Sequence, residues 1–255
     1  MSISHTVEAG IAEIVVNKPP VNALGIAEWQ GLADLLRQLG ADPATRVVIL
    51  AAEGRGYNAG VDIKELHKAH ETSGHDALIA VNRACYNAFA AVYECEVPVI
   101  AAVHGYCLGG GIGLAGNADV VIASKDATFA LPEVDRGALG AATHLARLVP
   151  QHLMRAMVYT GRAITAAELH HHGSVFQVVE RDQLRGAARE LAAQIASKSP
   201  TAIRAAKQSL NGIDPVDVKR SYRFEQGFTF ELTLAGVGGE ARAAFVDKKP
   251  GAPSK

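Results

Sequence analysis

The sequence carries almost no net charge. Lysine and arginine total 25, and aspartate and glutamate total 26, which leaves a formal net charge of −1 over 255 residues. A chain so balanced lacks the broad positive field with which proteins hold nucleic acid or an anionic membrane. We therefore expect neither nucleic acid nor a membrane as a partner.

The chain also has little cysteine and no secretory leader. Its three cysteines, Cys85, Cys95 and Cys107, are too few for a disulfide framework and fit a reducing compartment. The first twenty residues contain no basic start followed by an apolar core, so they do not resemble a signal peptide. Since 49% of the residues are hydrophobic and 20% are charged, disorder is excluded and a substantial core is expected. These features predict a cytoplasmic enzyme.

One apolar segment, residues 97–116, is long enough for a membrane span. Its sequence is VPVIAAVHGYCLGGGIGLAG, and each of its six glycines costs roughly 1 kcal/mol of helix propensity relative to alanine. Lysine and arginine are absent from both immediate flanks, so the usual orientation anchors are missing. We predict instead a buried strand over 97–103, a glycine turn, and a short helix from about 111 to 116.

Strand and helix patterns alternate along the first half of the chain. Buried strands are predicted at 11–16, 46–52 and 119–123, and helices over about 26–39 and over 64–96 with a polar break at 71–74. This βαβ-like order predicts an α/β fold with mostly parallel strands and helices on both faces.

The second half of the chain has a different character. Residues 143–171 and 182–247 show nearly continuous helical periodicity, interrupted by one strand-like piece at 175–179. A boundary near 197–200 predicts two parts, a core over 1–197 and a C-terminal helical part over 198–255 that ends in a polar tail.

Gly111, Gly113 and Gly116 match the G-x-G-x-x-G fingerprint of dinucleotide-binding proteins. The helix that they open must stop by Asn117, however, and the next strand has no acidic residue at its far end for a ribose hydroxyl. The match is therefore a weak indication of a nucleotide site.

Three consecutive histidines, His170 to His172, suggest a metal site at first sight. Successive side chains on a helix diverge by about 100°, so the three cannot converge on one ion. Their position before Gly173 fits a helix C-terminus instead, and we expect no metal.

Two glycine turns, at Gly60-Val61 and Gly109-Gly110-Gly111, each follow a buried strand. Glycines let backbone N–H groups approach a ligand closely, and two converging turns would form an oxyanion hole for an acyl carbonyl or a thioester enolate. The alternative is that both are simply tight turns between a strand and a helix.

The two turns belong to longer stretches that resemble the signatures of the crotonase (enoyl-CoA hydratase/isomerase) superfamily. The resemblance covers nearly the whole chain in the correct order. It rests on NAGVDIKE at 58–65, PVIAAVHGYCLGGG at 98–111, ADVVIA at 118–123, FALPE at 129–133 and AIRAAK at 202–207.

The resemblance implies a spiral of ββα units and a C-terminal helical part that supports a homotrimer or a dimer of trimers. It also implies coenzyme A thioester substrates, with coenzyme A entering as part of the substrate and no tightly bound cofactor. The oxyanion donors would be the N–H groups of Val61 and Gly110. The loop with Ala59, Val61 and Ile63 would follow the adenine end of coenzyme A, and Lys18 would lie near its phosphates.

The sequence departs from the hydratases of this family at one position. Those enzymes carry two glutamates that hold and activate water, and here the first position is Gly113 while the second is Glu133. Because hydration needs one group for the nucleophile and one for the α-proton, hydratase activity is not expected. Members with only the second glutamate resemble enoyl-CoA isomerases or acyl-CoA hydrolases.

Three residues are candidates to assist Glu133. On an extended backbone, Asp135 would lie on the same face as Glu133, whereas on a helical turn the two would point apart. Asp135 could equally be a solvated residue that pairs with Arg136. His144 lies where this family lines the acyl pocket, and it could face the ligand or be a buried structural histidine. Glu225, in an aromatic-rich stretch, could reach a pocket or be an exposed helix carboxylate.

Further stretches at 53–62, 131–145 and 224–232 resemble an actinobacterial branch that hydrolyses a ring of a bicyclic, steroid-derived CoA thioester. The sequence therefore predicts a hydrolase that cleaves a carbon–carbon bond through a thioester enolate. The alternatives are an enoyl-CoA hydratase/isomerase of fatty-acid-type substrates, with Glu133 as sole acid and base, and an inactive CoA-binding protein.

Overall fold

The computed structural model describes residues 2–247, which form two β-sheets enclosed by helices. The strands are β1 (Ile3–Glu8), β2 (Ile11–Val16), β3 (Val47–Ala52), β4 (Val99–Val103), β5 (Tyr106–Leu108), β6 (Val120–Ser124), β7 (Thr128–Ala130), β8 (Ile164–Thr165) and β9 (Gln177–Val179). The larger sheet has the order β1-β2-β3-β4-β6-β9, and the smaller has the order β5-β7-β8.

The helices occupy the connections between strands and the C-terminal third of the chain. They are α1 (Ile26–Ala41), α2 (Ile63–Ser73), α3 (His75–Tyr93), α4 (Gly110–Ala115), α5 (Ala142–Leu145), α6 (Gln151–Thr160), α7 (Ala166–His171), α8 (Leu184–Ala196), α9 (Pro200–Gly212), α10 (Val218–Leu234) and α11 (Val237–Asp247). Short 3-10 helices span Pro132–Arg136 and Arg181–Gln183.

The larger sheet is parallel except at one edge. Strands β2, β3, β4, β6 and β9 pair in parallel, and β1 pairs with β2 as an antiparallel hairpin. This arrangement confirms the predicted α/β class with mostly parallel strands.

Strand β3 shows why its residues form a strand buried on both faces. All six of its residues are buried. Side chains alternate across a strand, so Val48 and Leu50 join the large core that contains α1 and α3, while Val47 and Ile49 join a second core under α8. The unbroken apolar run in the sequence is thus the signature of a central strand with helices on both sides.

The apolar segment 97–116 divides into β4, β5 and α4, joined by turns at Gly105 and Gly109 with positive φ. The predicted strand, glycine turn and short helix are confirmed, although β5 was not anticipated. Among residues 2–247, no helix has the length and apolar character needed to cross a membrane.

The helical stretch 64–96 also breaks where the sequence predicted. Helix α2 ends at Ser73 and α3 begins at His75, and between them Gly74 has a φ of +57° that favours glycine.

Four strands were not predicted. Strand β1 is exposed along nearly its whole length, so it lacks a hydrophobic pattern. Strands β5 and β7 have three residues each and β8 has two, too short for any periodicity to appear. Strand β8 also contradicts the prediction of nearly continuous helix over 143–171.

The predicted boundary coincides with the gap between α8, which ends at Ala196, and α9, which begins at Pro200. The Ser199 hydroxyl accepts a hydrogen bond from the Ala202 amide and so caps α9. The division into two parts stays a prediction, and the polar tail lies outside the described residues.

Candidate active site

The candidate site lies where three neighbouring parallel strands end. Segments that follow parallel strands meet at one edge of the sheet, and here the segments after β2, β3 and β4 do so. They open onto a cavity of about 520 Å³. Its lining comes from parts of the stretches 18–23, 59–66, 108–110 and 132–141, Asp135 not among them, and from faces of α3, α10 and α11.

The two glycine turns predicted to form an oxyanion hole meet at this cavity. A Cβ atom on Gly60 would lie only 3.0 Å from the Gly110 nitrogen, so the two turns are in close contact. The N–H groups of Val61 and Gly110 have no hydrogen-bond acceptor among residues 2–247. Two unpaired amide donors at one wall of a cavity can bind a carbonyl oxygen that gains negative charge.

Two buried asparagines hold the first of these turns. Asn58 Oδ1 accepts a hydrogen bond from the Gly60 amide at 2.8 Å, and Asn58 Nδ2 donates to the Asn22 carbonyl at 2.6 Å. The Asn22 side chain in turn donates to the carbonyls of Glu53 and Gly56. Sequence reasoning assigned neither asparagine a role, since a buried amide is not distinguishable from a turn residue in the sequence.

Glu133 stands over the second turn, in the first turn of the 3-10 helix. A Cβ atom on Gly109 would collide with Glu133 Oε1, so glycine is required for the carboxyl to approach the turn. Glu133 Oε2 is buried and has no hydrogen-bond partner among the described residues. Burial raises the pKa of Glu133 to about 8, and the negative charge of Glu225 also raises it. Two effects smaller than that of burial lower the pKa, namely a hydrogen bond from the Glu133 backbone and the positive charge of Arg136.

Glu225 lies behind the cavity wall. Its carboxylate accepts hydrogen bonds from the Ala142 amide at 2.8 Å, the Thr143 amide at 3.1 Å and the Thr143 hydroxyl at 3.0 Å. Burial raises the pKa of Glu225 and these hydrogen bonds oppose the rise. Glu225 therefore fixes the start of α5 and is not among the residues that line the cavity.

His144 is completely buried and likewise does not line the cavity. Its Nδ1 is 3.1 Å from Asn117 Oδ1, and its ring packs on Phe89 and Tyr222 with centroids 5.0 and 4.7 Å away. Burial lowers the pKa of His144 to about 3, so the imidazole is neutral near pH 7. This placement matches the structural alternative for His144.

Asp135 is not brought to the cavity. The backbone from Pro132 to Arg136 is a 3-10 helix, so residues two apart point in different directions. Asp135 is exposed, and a Cβ on Gly161 would lie 3.0 Å from its Oδ2. Among the described side chains it forms no ion pair with Arg136 either, so its expected pairing is also absent.

Residues of the expected CoA path line the open side of the cavity: Lys18, Ala59, Val61 and Ile63. The Lys18 ammonium lies 2.7 Å from Glu28 Oε2, 3.5 Å from Asp62 Oδ2 and 3.4 Å from Glu65 Oε2. Although partial burial acts against it, the hydrogen bond to Glu28 and the surrounding carboxylates raise the pKa of Lys18. Lys18 is therefore charged but already surrounded by acidic groups.

An aromatic wall closes the inner end of the cavity, and no pattern in the sequence singled out its Phe89. Phe89 and Tyr222 both line it, and their ring centroids are 5.3 Å apart. A Cβ atom on Gly113 would lie 2.6 Å from Phe89 Cε2, so the ring occupies the space beside that glycine. The position of the family's first glutamate is thus filled by an aromatic side chain.

The fingerprint glycines contact protein atoms. A Cβ on Gly111 would lie 2.7 Å from the Asn58 carbonyl oxygen, and one on Gly116 would lie 2.9 Å from the Ile112 carbonyl oxygen. These glycines serve close packing around α4, which agrees with the weak weight given to the dinucleotide match.

The three histidines lie at the end of α7 as predicted, with His172 as its C-cap residue. Within residues 2–247, no group of three or more His, Cys, Asp or Glu side chains is placed to hold a metal ion.

Comparisons with known proteins show which family the sequence matches. The sequence pattern of the enoyl-CoA hydratase/isomerase family matches residues 6–250. A protein of Rhodococcus jostii is 59% identical over 97% of this chain and 95% of its own length. One of Mycobacterium tuberculosis is 61% identical over 96% of this chain and 98% of its own. Both relatives are named (7aS)-7a-methyl-1,5-dioxo-2,3,5,6,7,7a-hexahydro-1H-indene-carboxyl-CoA hydrolase.

A solved structure carries the same fold. The enoyl-CoA hydratase/isomerase of Pseudoalteromonas atlantica is 28% identical, with a TM-score of 0.84 over 100% of both chains. The match to the family over nearly the whole chain, the two relatives and the shared fold lead to one conclusion: the protein belongs to the enoyl-CoA hydratase/isomerase family and has the crotonase fold.

Proposed function

We propose that this protein is a hydrolase that opens a ring of a bicyclic, steroid-derived CoA thioester by cleaving a carbon–carbon bond. The observation that carries the proposal is the Glu133 carboxyl, whose Oε2 is buried, beside two amides that have no acceptor among residues 2–247, with Phe89 in the space beside Gly113. The two relatives of 59% and 61% identity, whose names describe hydrolases of a dioxo-indene carboxyl-CoA, support this substrate class.

The reaction begins with the thioester carbonyl bound by the N–H groups of Val61 and Gly110. Glu133, as carboxylate, removes a proton from water while the water oxygen adds to the carbon of a ring ketone. The bond between that carbon and a neighbouring ring carbon then breaks. The electron pair of this bond passes into the thioester enolate, which the two amides stabilise.

Glu133 then returns its proton to the carbanion carbon. The former ketone carbon becomes a carboxylic acid that stays attached through the rest of the opened ring, with one oxygen from water, and this acid loses its proton to solvent. The thioester itself stays intact, and Glu133 ends in the state in which it began.

The same residue could also serve an enoyl-CoA isomerase, which needs one carboxylate to move one proton. The identity to the two hydrolases favours ring opening over this alternative.

The coenzyme A part of the substrate would enter on the side of Lys18, Ala59, Val61 and Ile63, with no tightly bound cofactor. The protein would act in the cytoplasm, in keeping with its buried free thiols. Exposed Phe224 and Phe228 on α10 support subunit contacts in a homotrimer or a dimer of trimers.

Turnover in ¹⁸O-labelled water tests the proposal. Ring opening places one labelled oxygen in the new carboxylate and releases no free coenzyme A thiol. Because ketones exchange oxygen with water on their own, label in the unreacted substrate is measured beside it.

Each alternative gives a different result. An isomerase converts a fatty-acid-type enoyl-CoA without incorporating label, and an inactive CoA-binding protein shows no turnover for Glu133→Gln to remove. Turnover of the bicyclic thioester without label in a carboxylate overturns the hydrolase.

A further inference from the structure

Arg136 shares the cavity with Glu133. The two residues are three apart in a 3-10 helix, which has three residues per turn, so they leave the helix on the same side. Both line the cavity, and Arg136 is half-buried there. From the sequence, this arginine was expected only as a partner of Asp135, which points elsewhere.

The guanidinium of Arg136 has no carboxylate within 4.0 Å among the side chains that the structure describes. It lies instead over the ring of Phe245, with Cζ 4.1 Å from the ring centroid. Stacking of this kind orients the guanidinium plane and leaves the N–H groups at its edge free to donate. By contrast, Lys18 at the open side of the same cavity is surrounded by three carboxylates.

A guanidinium that has no carboxylate partner among the described side chains, and that lies in a largely apolar cavity, favours an anionic ligand. The proposed reaction produces one in the acyl part, since hydrolysis of a ring ketone converts a neutral group into a carboxylate. One oxygen of that carboxylate comes from the ketone and one from water, and the planar pair matches the fork of a guanidinium.

We propose that Arg136 binds the carboxylate created by ring opening, so that the cavity prefers an acyl-CoA with a carboxylate at the end remote from the thioester. The inference rests on the proposed function and assigns a residue to the far end of the acyl group. It also explains why a cavity walled by Phe89 and Tyr222 contains a half-buried positive charge.

Binding of two matched probes tests the inference. The first is the ring-opened keto acid CoA thioester formed from the bicyclic thioester, and the second is its primary carboxamide, which is neutral and nearly identical in shape. Dissociation constants are measured by titration calorimetry for the wild type and for Arg136→Met, Arg136→Lys and Arg37→Met. Arg37 is exposed on α1, lies outside the cavity lining and serves as the control.

The wild type and Arg37→Met should bind the carboxylate about tenfold to a hundredfold more tightly than the carboxamide, as expected for a hydrogen bond to a charged group. Arg136→Met should remove this preference by weakening the carboxylate alone, and Arg136→Lys should keep part of it. The inference is overturned if the wild type shows no preference, if Arg136→Met retains it, or if that variant weakens both probes equally.

The two proposals can fail separately. If the protein prefers the carboxylate probe but does not open the ring, the proposed function fails and the role of Arg136 stands. If it opens the ring but shows no such preference, only the role of Arg136 fails. If neither probe binds the wild type and the bicyclic thioester is not turned over, both are overturned.

Discussion

The Phe89 ring occupies the space into which a side chain at Gly113 would project, with its Cε2 only 2.6 Å from the ideal Cβ position. The ring cannot move aside easily, because it packs on Trp29, His144 and Tyr222 with centroids 5.5, 5.0 and 5.3 Å away. The packing around α4 therefore leaves no room for a glutamate at position 113, so more than one residue would have to change to place a carboxylate there.

Gly113→Glu should not create a hydratase. The new side chain must displace Phe89, and overpacking a core costs about 1–3 kcal/mol before the cost of a buried carboxylate is added. We expect a lower free energy of unfolding in urea and no hydration of crotonyl-CoA. Gly31→Glu is the control, because a Cβ on this exposed glycine of α1 meets no atom within 4 Å. A stable Gly113→Glu variant that hydrates crotonyl-CoA would contradict the account.

The rate of ring opening should rise with pH around a midpoint near 8. Burial raises the pKa of Glu133 to about 8, and only its carboxylate form can take a proton from water. The measurement is kcat/KM against pH, which reports the free enzyme. Glu133→Gln should lower kcat by roughly 10²–10⁴, and its residual rate should lack this midpoint. A midpoint near the ordinary pKa of glutamate would argue that Glu133 is solvated.

Glu225→Gln should shift that midpoint to lower pH. The charge of Glu225 helps to raise the pKa of Glu133, and the amide removes it. The variant should also lose about 1–3 kcal/mol of stability, because the hydrogen bonds to Ala142 and Thr143 are weakened. Glu231→Gln, on an exposed part of α10, should change neither quantity. An unchanged midpoint in Glu225→Gln would show that the two carboxyls do not interact.

Stability should fall as pH rises from about 4.5 to 8, and Glu133 should be one cause. Its pKa is higher in the folded protein than the ordinary 4.5, so the folded state holds the proton more tightly across this window. The loss of unfolding free energy is complete above the pKa that Glu133 has in the folded protein. It reaches about 5 kcal/mol, since each tenfold change in proton affinity is worth about 1.4 kcal/mol.

Glu133→Gln carries no ionisable group at this position. Its free energy of unfolding, measured by urea titration at several pH values, should match the wild type near pH 4 and exceed it increasingly towards pH 9. A constant difference between the two proteins across this range would rule out the predicted pKa.

Much of the fold could be predicted because its central strands are apolar on both faces. The run from Val47 to Ala52 and the break at Gly74 identified β3 and the end of α2 without any further information. The smaller sheet could not be predicted, since strands of two or three residues have no periodicity and form only when distant segments meet.

The site divides in the same way. The turns at Gly60 and Gly109 and the position of Glu133 follow from local patterns that the family shares. The contact of Phe89 with Gly113 joins residues on two different helices, so no local pattern records it. The placement of Arg136 depends on whether residues Pro132–Arg136 form a 3-10 helix or an extended strand. These two conformations differ little in energy, so packing against the rest of the protein decides between them.

Helix α11 makes part of the cavity depend on a segment that lies far from Glu133 in the sequence. Phe245 lines the cavity and orients Arg136, and the Val237 carbonyl lies so close to Gly137 that a Cβ there would be 2.7 Å away. During synthesis, the two glycine turns and Glu133 leave the ribosome well before this helix does, since more than a hundred residues separate Glu133 from Val237. A nascent chain therefore completes the compartment for the acyl group only after residues 237–247 have been made.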